Sequence, residues 1–197
     1  ATTSVRKTEE IISLCHQVEV PVLINFSFRF DKMLKEFKKD ISNGIYGEVI
    51  CASGTYSKGI KHNGSHMIDL ARYLFGEVKN IKSLYSINDY TEEDKTVAGF
   101  LQFDNCKQFH LLAANERKYS IFELDVLFEK GRVKLFDSGF KILKQNVQED
   151  SVYAGYFSLS NSKVEETDLK NALLNTVNNA VEHIYKDEPL VCNISDV

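Results

Sequence analysis

The chain has 197 residues, of which 43% are hydrophobic and 26% are charged, and its formal net charge is −4 at pH 7. This composition is typical of a soluble domain with enough apolar material for a large core. The negative charge argues against a nucleic-acid partner, because such a partner requires a basic surface. No apolar run has the length of a membrane span and no signal peptide is recognisable, so we predict a cytoplasmic protein without a membrane partner.

The four cysteines lie far apart in the sequence, at Cys15, Cys51, Cys106 and Cys192. A structural zinc site normally has short spacings between its ligands, and no CxxC pair occurs here. We therefore predict no metal site and interpret the cysteines as buried free thiols in a reducing compartment. The acidic run at Asp89, Glu92, Glu93 and Asp94 is interpreted as a loop, with no metal-ligand pattern beyond its charge.

The first part of the sequence predicts a helix followed by a short strand. Residues 2–18 carry an apolar stripe at helical spacing, and Pro21 prevents the helix from continuing. The apolar run at residues 22–26 is typical of a buried strand. A helix followed by such a strand is half of an α/β crossover unit, so the first ~25 residues are interpreted as the end of an α/β domain.

A second helix, a strand and a third helix follow in the sequence. Asp31 is expected to cap the second helix, and residues 48–56 predict a strand. Residues 58–64 are polar and contain glycine, so we predict a loop there. Residues 65–75 predict the third helix, which Gly76 ends.

From Val78 onwards the predicted elements are mostly strands. Six candidates are separated by short turns, at residues 78–88, 96–103, 108–114, 121–129, 132–137 and 140–147. Consecutive strands with short turns predict an antiparallel meander with one buried face. Residues 166–186 predict a long helix whose apolar stripe faces the core, and Pro189 follows it. The predicted fold class is therefore α+β, with a large, mostly antiparallel, open-faced sheet and helices packed on one of its faces.

Two histidines lie around a glycine at the start of the third predicted helix, His62 and His66. A helix start presents unpaired N–H groups and partial positive charge, which suit a hydroxyl or an oxyanion of a ligand. A neutral imidazole at this position can accept a proton from an alcohol, because the helix dipole disfavours its charged form. The alternative is that His66 only caps the helix or packs against the core.

The segment around these histidines, KGIKHNGSHMIDLARYLFG at residues 58–76, resembles the Gfo/Idh/MocA family of glucose–fructose oxidoreductase, inositol dehydrogenase and their relatives. In that family a helix of the C-terminal domain carries a pattern similar to D-x-G-x-H-x-x-D, whose His is catalytic. His66 matches that His and Asp69 matches the later acid. The position that is usually Asp is His62 here, which departs from the pattern and puts a complete catalytic set in doubt.

Two further segments support the resemblance. VPVLINFSFRFD at residues 20–31 resembles the family's last Rossmann strand, and ISNGIYGEV at residues 41–49 resembles its helix-to-strand join. The order and spacing also fit, so the resemblance covers nearly the whole chain. It implies that residues 1–30 are a remnant of a cofactor-binding Rossmann domain. Residues 31–197 are then the C-terminal domain for substrate binding and oligomerisation.

The resemblance implies that the full-length protein is an oxidoreductase that transfers a hydride between NAD or NADP and a CH–OH or C=O carbon of a sugar or polyol. His66 would be the catalytic residue. The predicted substrate-binding residues are His62, Asn63, Asn25, Arg29 and Lys58. Two of these have alternatives: Arg29 could pair with Asp31, and Lys58, like Lys61, could be a solvated loop lysine rather than a contact for an acidic substrate.

Two motifs that the family uses for its cofactor do not occur in the sequence, the GxGxxG turn and the E-K-P motif with its catalytic lysine. The sequence begins where E-K-P would have ended, and residues 193–196 are typical of a cap before a further helix. We therefore expect a fragment that binds no cofactor and is inactive alone, and we assign no cofactor-binding residues.

The predicted sheet has apolar residues on both faces of the strand at residues 96–103, and Leu111 and Leu112 point in opposite directions. Because the helices can cover only one face, we predict a homodimer or homotetramer that forms through the other. The alternative function is a non-catalytic domain that binds a ligand or assembles oligomers with the same fold, since a fold does not determine a function.

Overall fold

The computed structural model describes residues 4–196. The helices and strands are α1 Val5–Gln17, α2 Lys32–Ser42, β1 Val49–Tyr56, α3 Ser65–Phe75, β2 Val78–Thr91, β3 Asp94–Phe103, β4 Cys106–Ala113, β5 Phe122–Phe128, β6 Gly131–Phe136, β7 Lys141–Glu149, β8 Phe157–Leu159, β9 Lys163–Glu166 and α4 Ala172–Lys186. Short 3₁₀ turns occur at Ser27–Phe30, Leu169–Asn171 and Ile194–Asp196, and a π-helical turn at Gly59–Gly64. The predicted start of the first helix, at residues 2 and 3, lies outside the described residues.

The strands form one large sheet, nine-stranded over the described residues, in the order β2-β3-β4-β1-β5-β6-β7-β8, with β9 also paired to β7. Every pair is antiparallel except β1 with β4. The predicted α+β class with a mostly antiparallel sheet is confirmed. The predicted simple meander is wrong, because β1 inserts between β4 and β5 and pairs with both.

Helices α2 and α3 pack on one face of this sheet and form the core with it. The buried side chains include Leu34 and Phe37 of α2, Met67, Leu70 and Leu74 of α3, and Phe109, Leu124, Val126, Val133 and Ile142 of the strands. Helix α3 lies close to β1, since a Cβ atom at Gly54 would lie 2.5 Å from Met67 Sδ and 3.0 Å from Phe109 Cζ. Glycine at position 54 therefore sets the distance between the sheet and the helix that carries His66.

The opposite face of the sheet is open, and its centre is more polar than predicted. Lys134 lies 2.7 Å from Glu123, and Arg132 donates from Nε to Asp125 Oδ1 at 2.9 Å. Leu127, which is 38% exposed, is paired with Arg132, and Leu112, which is 44% exposed, is aligned with Glu123 through Thr55 of β1. The open face thus combines a charged centre with apolar surroundings.

The helix predicted over residues 166–186 begins later in the structure, and a different side of it is buried. Residues 163–166 form β9 instead, and α4 begins at Ala172. The stripe that was predicted to face the core is exposed, with Leu173 at 67% and Ile184 at 71%. The buried face carries Ala172, Thr176 and Asn179, because Asn179 donates to Pro189 O at 3.1 Å and accepts from Val191 N at 2.9 Å. Polar contacts with the following segment, rather than apolar burial, thus orient α4.

The predicted strand at residues 22–26 is not formed. Leu23 makes a single antiparallel bridge with Asn193, and Ile24 N donates to Cys192 O at 2.9 Å. A strand requires a partner along its length, and the described residues supply one over only this short stretch. The 3₁₀ turn that follows packs into the core, where Phe28 stacks on Phe122 with ring centroids 4.7 Å apart. No helix within residues 4–196 has the length and apolarity that a membrane span requires.

Candidate active site

The connection between β1 and α3 is a compact helical turn. The predicted polar loop at residues 58–64 is wrong, because residues 59–64 form a π-helical turn that runs directly into α3. Lys58 starts the turn in the left-handed conformation, with φ +73°, and Gly59 follows with φ +79°. Such π-helical segments are rare and occur frequently at functional sites.

The turn is held by side chains of the β2–β3 hairpin, which accept hydrogen bonds from its backbone. Lys58 N donates to Asp89 Oδ2 at 3.0 Å, and Gly59 N donates to Thr96 Oγ1 at 2.7 Å. The Asp94 carboxylate accepts from Lys61 N at 2.8 Å and from His62 N at 3.1 Å. The interpretation of the acidic run as a loop is therefore wrong for Asp89 and Asp94, which are buried strand residues.

A buried ion pair fixes the other side of the site. Arg29 donates to Asp69 through three contacts, Nε to Oδ1 at 3.2 Å, Nε to Oδ2 at 3.0 Å and Nη2 to Oδ1 at 2.7 Å. Both residues are buried, so the pair ties the 3₁₀ turn at Ser27–Phe30 to helix α3. The alternative partner Asp31 instead caps α2, where it accepts from Leu34 N at 2.9 Å.

A cavity of about 310 Å³ lies where these elements meet, and we name it the His66 cavity. Its lining brings together Ser27, Phe28, Lys58, Asn63, His66, Ser120, Phe122 and Ser138. Three of the predicted site residues line it: Lys58, Asn63 and His66. The other five come from segments far apart in sequence, and only Ser27 and Phe28 lie in a segment that the motifs single out.

His66 lies in a partly apolar environment at this cavity. Its Nδ1 atom is buried and has no hydrogen-bond partner among the described residues, and its ring meets Phe26 edge-on at 5.4 Å. Burial lowers the pKa of His66 below the usual histidine range; the charge of Asp69 opposes this shift and that of His62 adds to it. The imidazole is therefore neutral near pH 7 and can accept a proton.

The other three predicted substrate-binding residues do not line the His66 cavity. His62 is exposed, and its ring lies against Tyr90 with centroids 5.7 Å apart. Asn25 accepts from Thr176 Oγ1 at 3.2 Å, and the Arg29 guanidinium is occupied by Asp69. A role for these three residues in substrate binding stays a prediction.

The N–H groups at the start of the β1–α3 connection are already paired. The one helix start at the cavity already directs four of its N–H groups to Asp89, Thr96 and Asp94, so these groups cannot receive a phosphate. No group of three or more His, Cys, Asp or Glu side chains in residues 4–196 could hold a metal ion. Burial raises the pKa of Cys106 and of Cys192 to about 11, so neither thiol acts as a nucleophile at neutral pH.

Comparison with protein families supports the sequence motifs. Residues 52–134 match the model of the GFO/IDH/MocA C-terminal domain, a segment that begins within β1, ends within β6 and includes Lys58, Asn63 and His66. The predicted resemblance to this family is confirmed. No curated protein sequence matches the chain.

Solved structures share the fold over nearly the whole chain. A candidate NADPH-dependent oxidoreductase from Desulfitobacterium hafniense has a TM-score of 0.77 at 18% identity, covering 99% of this chain and 64% of that one. The WlbA dehydrogenase from Bordetella pertussis, in complex with NADH and UDP-GlcNAcA, has a TM-score of 0.69 at 12% identity, covering 97% and 61%. A super-repressor mutant of Gal80p from Saccharomyces cerevisiae has a TM-score of 0.71 at 14% identity, covering 94% and 58%. The chain therefore spans less than two thirds of the length of each, and at these identities the likeness shows the fold.

The contacts of Asp94 predict that its removal destabilises the turn. Asp94→Ala leaves the part-buried N–H groups of Lys61 and His62 without their charged acceptor, and the loss of a hydrogen bond to a charged group costs about 1.5–3 kcal/mol. We expect the free energy of unfolding of the 197-residue chain to fall by about 2 kcal/mol or more, measured by urea denaturation. Amide hydrogen exchange in residues 58–64 should also become faster.

The control is Glu93→Ala, because the side chain of Glu93 is exposed and only its backbone oxygen contacts Lys61. This change should alter the stability by no more than about 0.5 kcal/mol. Equal stability losses in the two variants would show that Asp94 does not hold the turn.

Proposed function

We propose that this domain binds the sugar or polyol substrate of an NAD(P)-dependent oxidoreductase and that His66 receives the proton of the reacting hydroxyl. The observation that carries the proposal is the neutral, partly buried His66 in a small cavity whose other polar groups are hydroxyls, an amide and one ammonium. Hydroxyl and amide side chains pair well with sugar hydroxyls, because each can both donate and accept hydrogen bonds.

Different residues of the chain would bind the sugar ring and accept the proton of the reacting hydroxyl. The hydroxyls of Ser27, Ser120 and Ser138 and the amide of Asn63 would hold and orient the ring. The His66 imidazole would accept the hydroxyl proton, and the charge of Asp69 would stabilise the imidazolium that forms. In the reverse direction the same imidazolium would return the proton.

A nicotinamide cofactor would take up the hydride from the substrate carbon when it is bound, and it would have to be held by residues outside this chain. The WlbA structure contains NADH, which supports this class of cofactor. Helices α1 and α4 support contact with a further domain, because α1 has no buried residue and α4 exposes an apolar stripe that includes Leu173 and Ile184. Solvent-exposed stripes of this kind are typical of surfaces that another domain covers.

A non-catalytic role is the second candidate. The Gal80p super-repressor shares the fold, and His62 replaces the acid that the family pattern usually carries. In that case the His66 cavity would bind a ligand without catalysing a reaction. The two candidates differ in the expected effect of removing the imidazole: turnover falls only if His66 is catalytic.

Replacing His66 by Ala in the complete protein should lower turnover by roughly 10²-fold or more, because the general base is lost. In the wild type, kcat/KM should fall as the pH falls through the pKa of His66, and because burial lowers that pKa, the fall should occur below about pH 6.5. The measurement is the pH profile of both proteins with the substrate and NAD(P).

The comparison variant is His62→Ala, which should change turnover much less because His62 does not line the His66 cavity. Full activity in His66→Ala would exclude the catalytic role and favour the non-catalytic candidate. Loss of the acidic limb of the pH profile in His66→Ala, with the limb retained in His62→Ala, would support the proposal.

The 197-residue chain alone should not bind NADH at micromolar concentrations. It carries no GxGxxG turn, and four N–H groups at the β1–α3 connection are already paired. Calorimetric titration with NADH checks this expectation. A saturable heat with a micromolar Kd would show that the chain does contain a dinucleotide site and would contradict this expectation.

We further propose that the open face of the sheet pairs with a second copy in a homodimer or homotetramer. Exposed Leu127 is paired with Arg132, whose partner is Asp125, and exposed Leu112 is aligned with Glu123 through Thr55 of β1; such a mixed surface suits a symmetric contact. Light scattering at tens of micromolar should give at least the dimer mass, and Leu112→Asp should give the monomer mass.

The control for this variant is Val152→Asp, since Val152 is 75% exposed in the connection between β7 and β8 and lies outside the strands. Its mass should equal that of the wild type. A monomeric wild type would contradict the oligomer, and an unchanged mass of Leu112→Asp would show that the contact lies elsewhere.

A further inference from the structure

The His66 cavity has an uneven distribution of charge. Among its lining residues within the described part of the chain, Lys58 carries a full positive charge and none is acidic. His66 is neutral near pH 7 because its burial lowers its pKa. The remaining polar lining consists of three serines and Asn63. The lining therefore contains one lysine and no carboxylate.

The ammonium group of Lys58 has no acidic partner among residues 4–196. No carboxylate lies within 4.0 Å of it, and its Nζ atom lies 5.5 Å from the centre of the Tyr90 ring. The nearby acids Asp89 and Asp94 direct their oxygens to backbone N–H groups and to Thr96. Most lysines project into water, whereas Lys58 is half-buried at the wall of the cavity.

The backbone at Lys58 is strained, and the surrounding structure imposes this conformation. A φ of +73° is unfavourable for a residue with a Cβ atom, and glycine would occupy it without strain. The hydrogen bonds from Lys58 N to Asp89 and from Gly59 N to Thr96 hold the conformation in place. Strained residues that their surroundings hold in this way cluster at ligand sites, which indicates that the position of the lysine serves binding.

From these observations, and resting on the proposed function, we propose that Lys58 selects substrates that carry an anionic group. The substrate class is an acidic monosaccharide, with either a carboxylate, as in a uronate, or a phosphate ester. The cavity of about 310 Å³ lies at the small end of the range of roughly 300–1,000 Å³ that ligand pockets occupy. It has room for a sugar ring with one anionic group, and the ammonium of Lys58 would supply the counter-charge.

The test is calorimetric titration of the 197-residue chain with D-glucuronate, D-glucose 6-phosphate and D-glucose. We expect one of the two acids to bind at least about tenfold more tightly than glucose, since a hydrogen bond to a charged group contributes about that factor. The tighter of the two acids identifies the anionic group. Lys58→Met should abolish the preference, and Lys58→Arg should keep it.

The matched control is Lys61→Met, because the Lys61 ammonium donates to Glu93 O and does not line the cavity. This variant should retain the wild-type preference, and thermal unfolding monitors the folding of all variants. Equal binding of glucose and the acids, no saturable binding of either acid, or an unchanged preference in folded Lys58→Met would each overturn the proposal.

The outcomes separate this inference from the proposed function. If the complete protein has no oxidoreductase activity but the acid still binds in a way that depends on Lys58, the proposed function is refuted and the role of Lys58 is supported. Activity of the complete protein that depends on His66, with no preference for acids over neutral sugars, would refute the inference alone.

Discussion

The backbone of residues 58–62 leaves the sheet between β1 and α3, and its N–H groups need acceptors inside the protein. Asp89, Thr96 and Asp94 of the β2–β3 hairpin supply them through four hydrogen bonds. An unpaired buried donor costs about 1–3 kcal/mol, while a whole domain is stable by about 5–15 kcal/mol. The hairpin is therefore the constraint that fixes the start of α3 and, with it, the positions of Lys58, Asn63 and His66.

The ion pair of Arg29 with Asp69 complements this constraint from the other side of α3. It binds the Ser27–Phe30 turn to the helix, and Ser27 and Phe28 of this turn line the His66 cavity together with Lys58. Removing one partner of a buried pair is costly because a charge is left uncompensated. The pair thus holds Asp69 close to His66. The burial of His66 itself lowers the pKa of the imidazole, and the charge of Asp69 opposes this shift, so the same charge would stabilise the imidazolium that forms.

The sequence predicts those features that depend on local pattern and local capping. Helix α3 and the strands β2 to β7 follow from periodicity and turn residues, and Lys58, Asn63 and His66 follow from one motif. The insertion of β1 between β4 and β5 depends on pairing between segments about 60 residues apart, which no local pattern encodes. The orientation of α4 depends on the contacts of Asn179 with residues 189 and 191, which outweigh its apolar stripe. Ser120 and Ser138 reach the cavity from separate turns and carry no signal of their own in the sequence.

We expect ligands of this domain to bind in the His66 cavity rather than on the open face of the sheet. The decisive measurement is a nuclear magnetic resonance titration of the isotope-labelled chain with myo-inositol, D-glucose and D-glucuronate. We expect the shifted signals to concentrate at residues 27–28, 58–66, 120–122 and 138, which include the lining of the cavity. Shifts confined to the open face around Leu112, Leu127 and Arg132, or no shift with any of the three compounds, would contradict it.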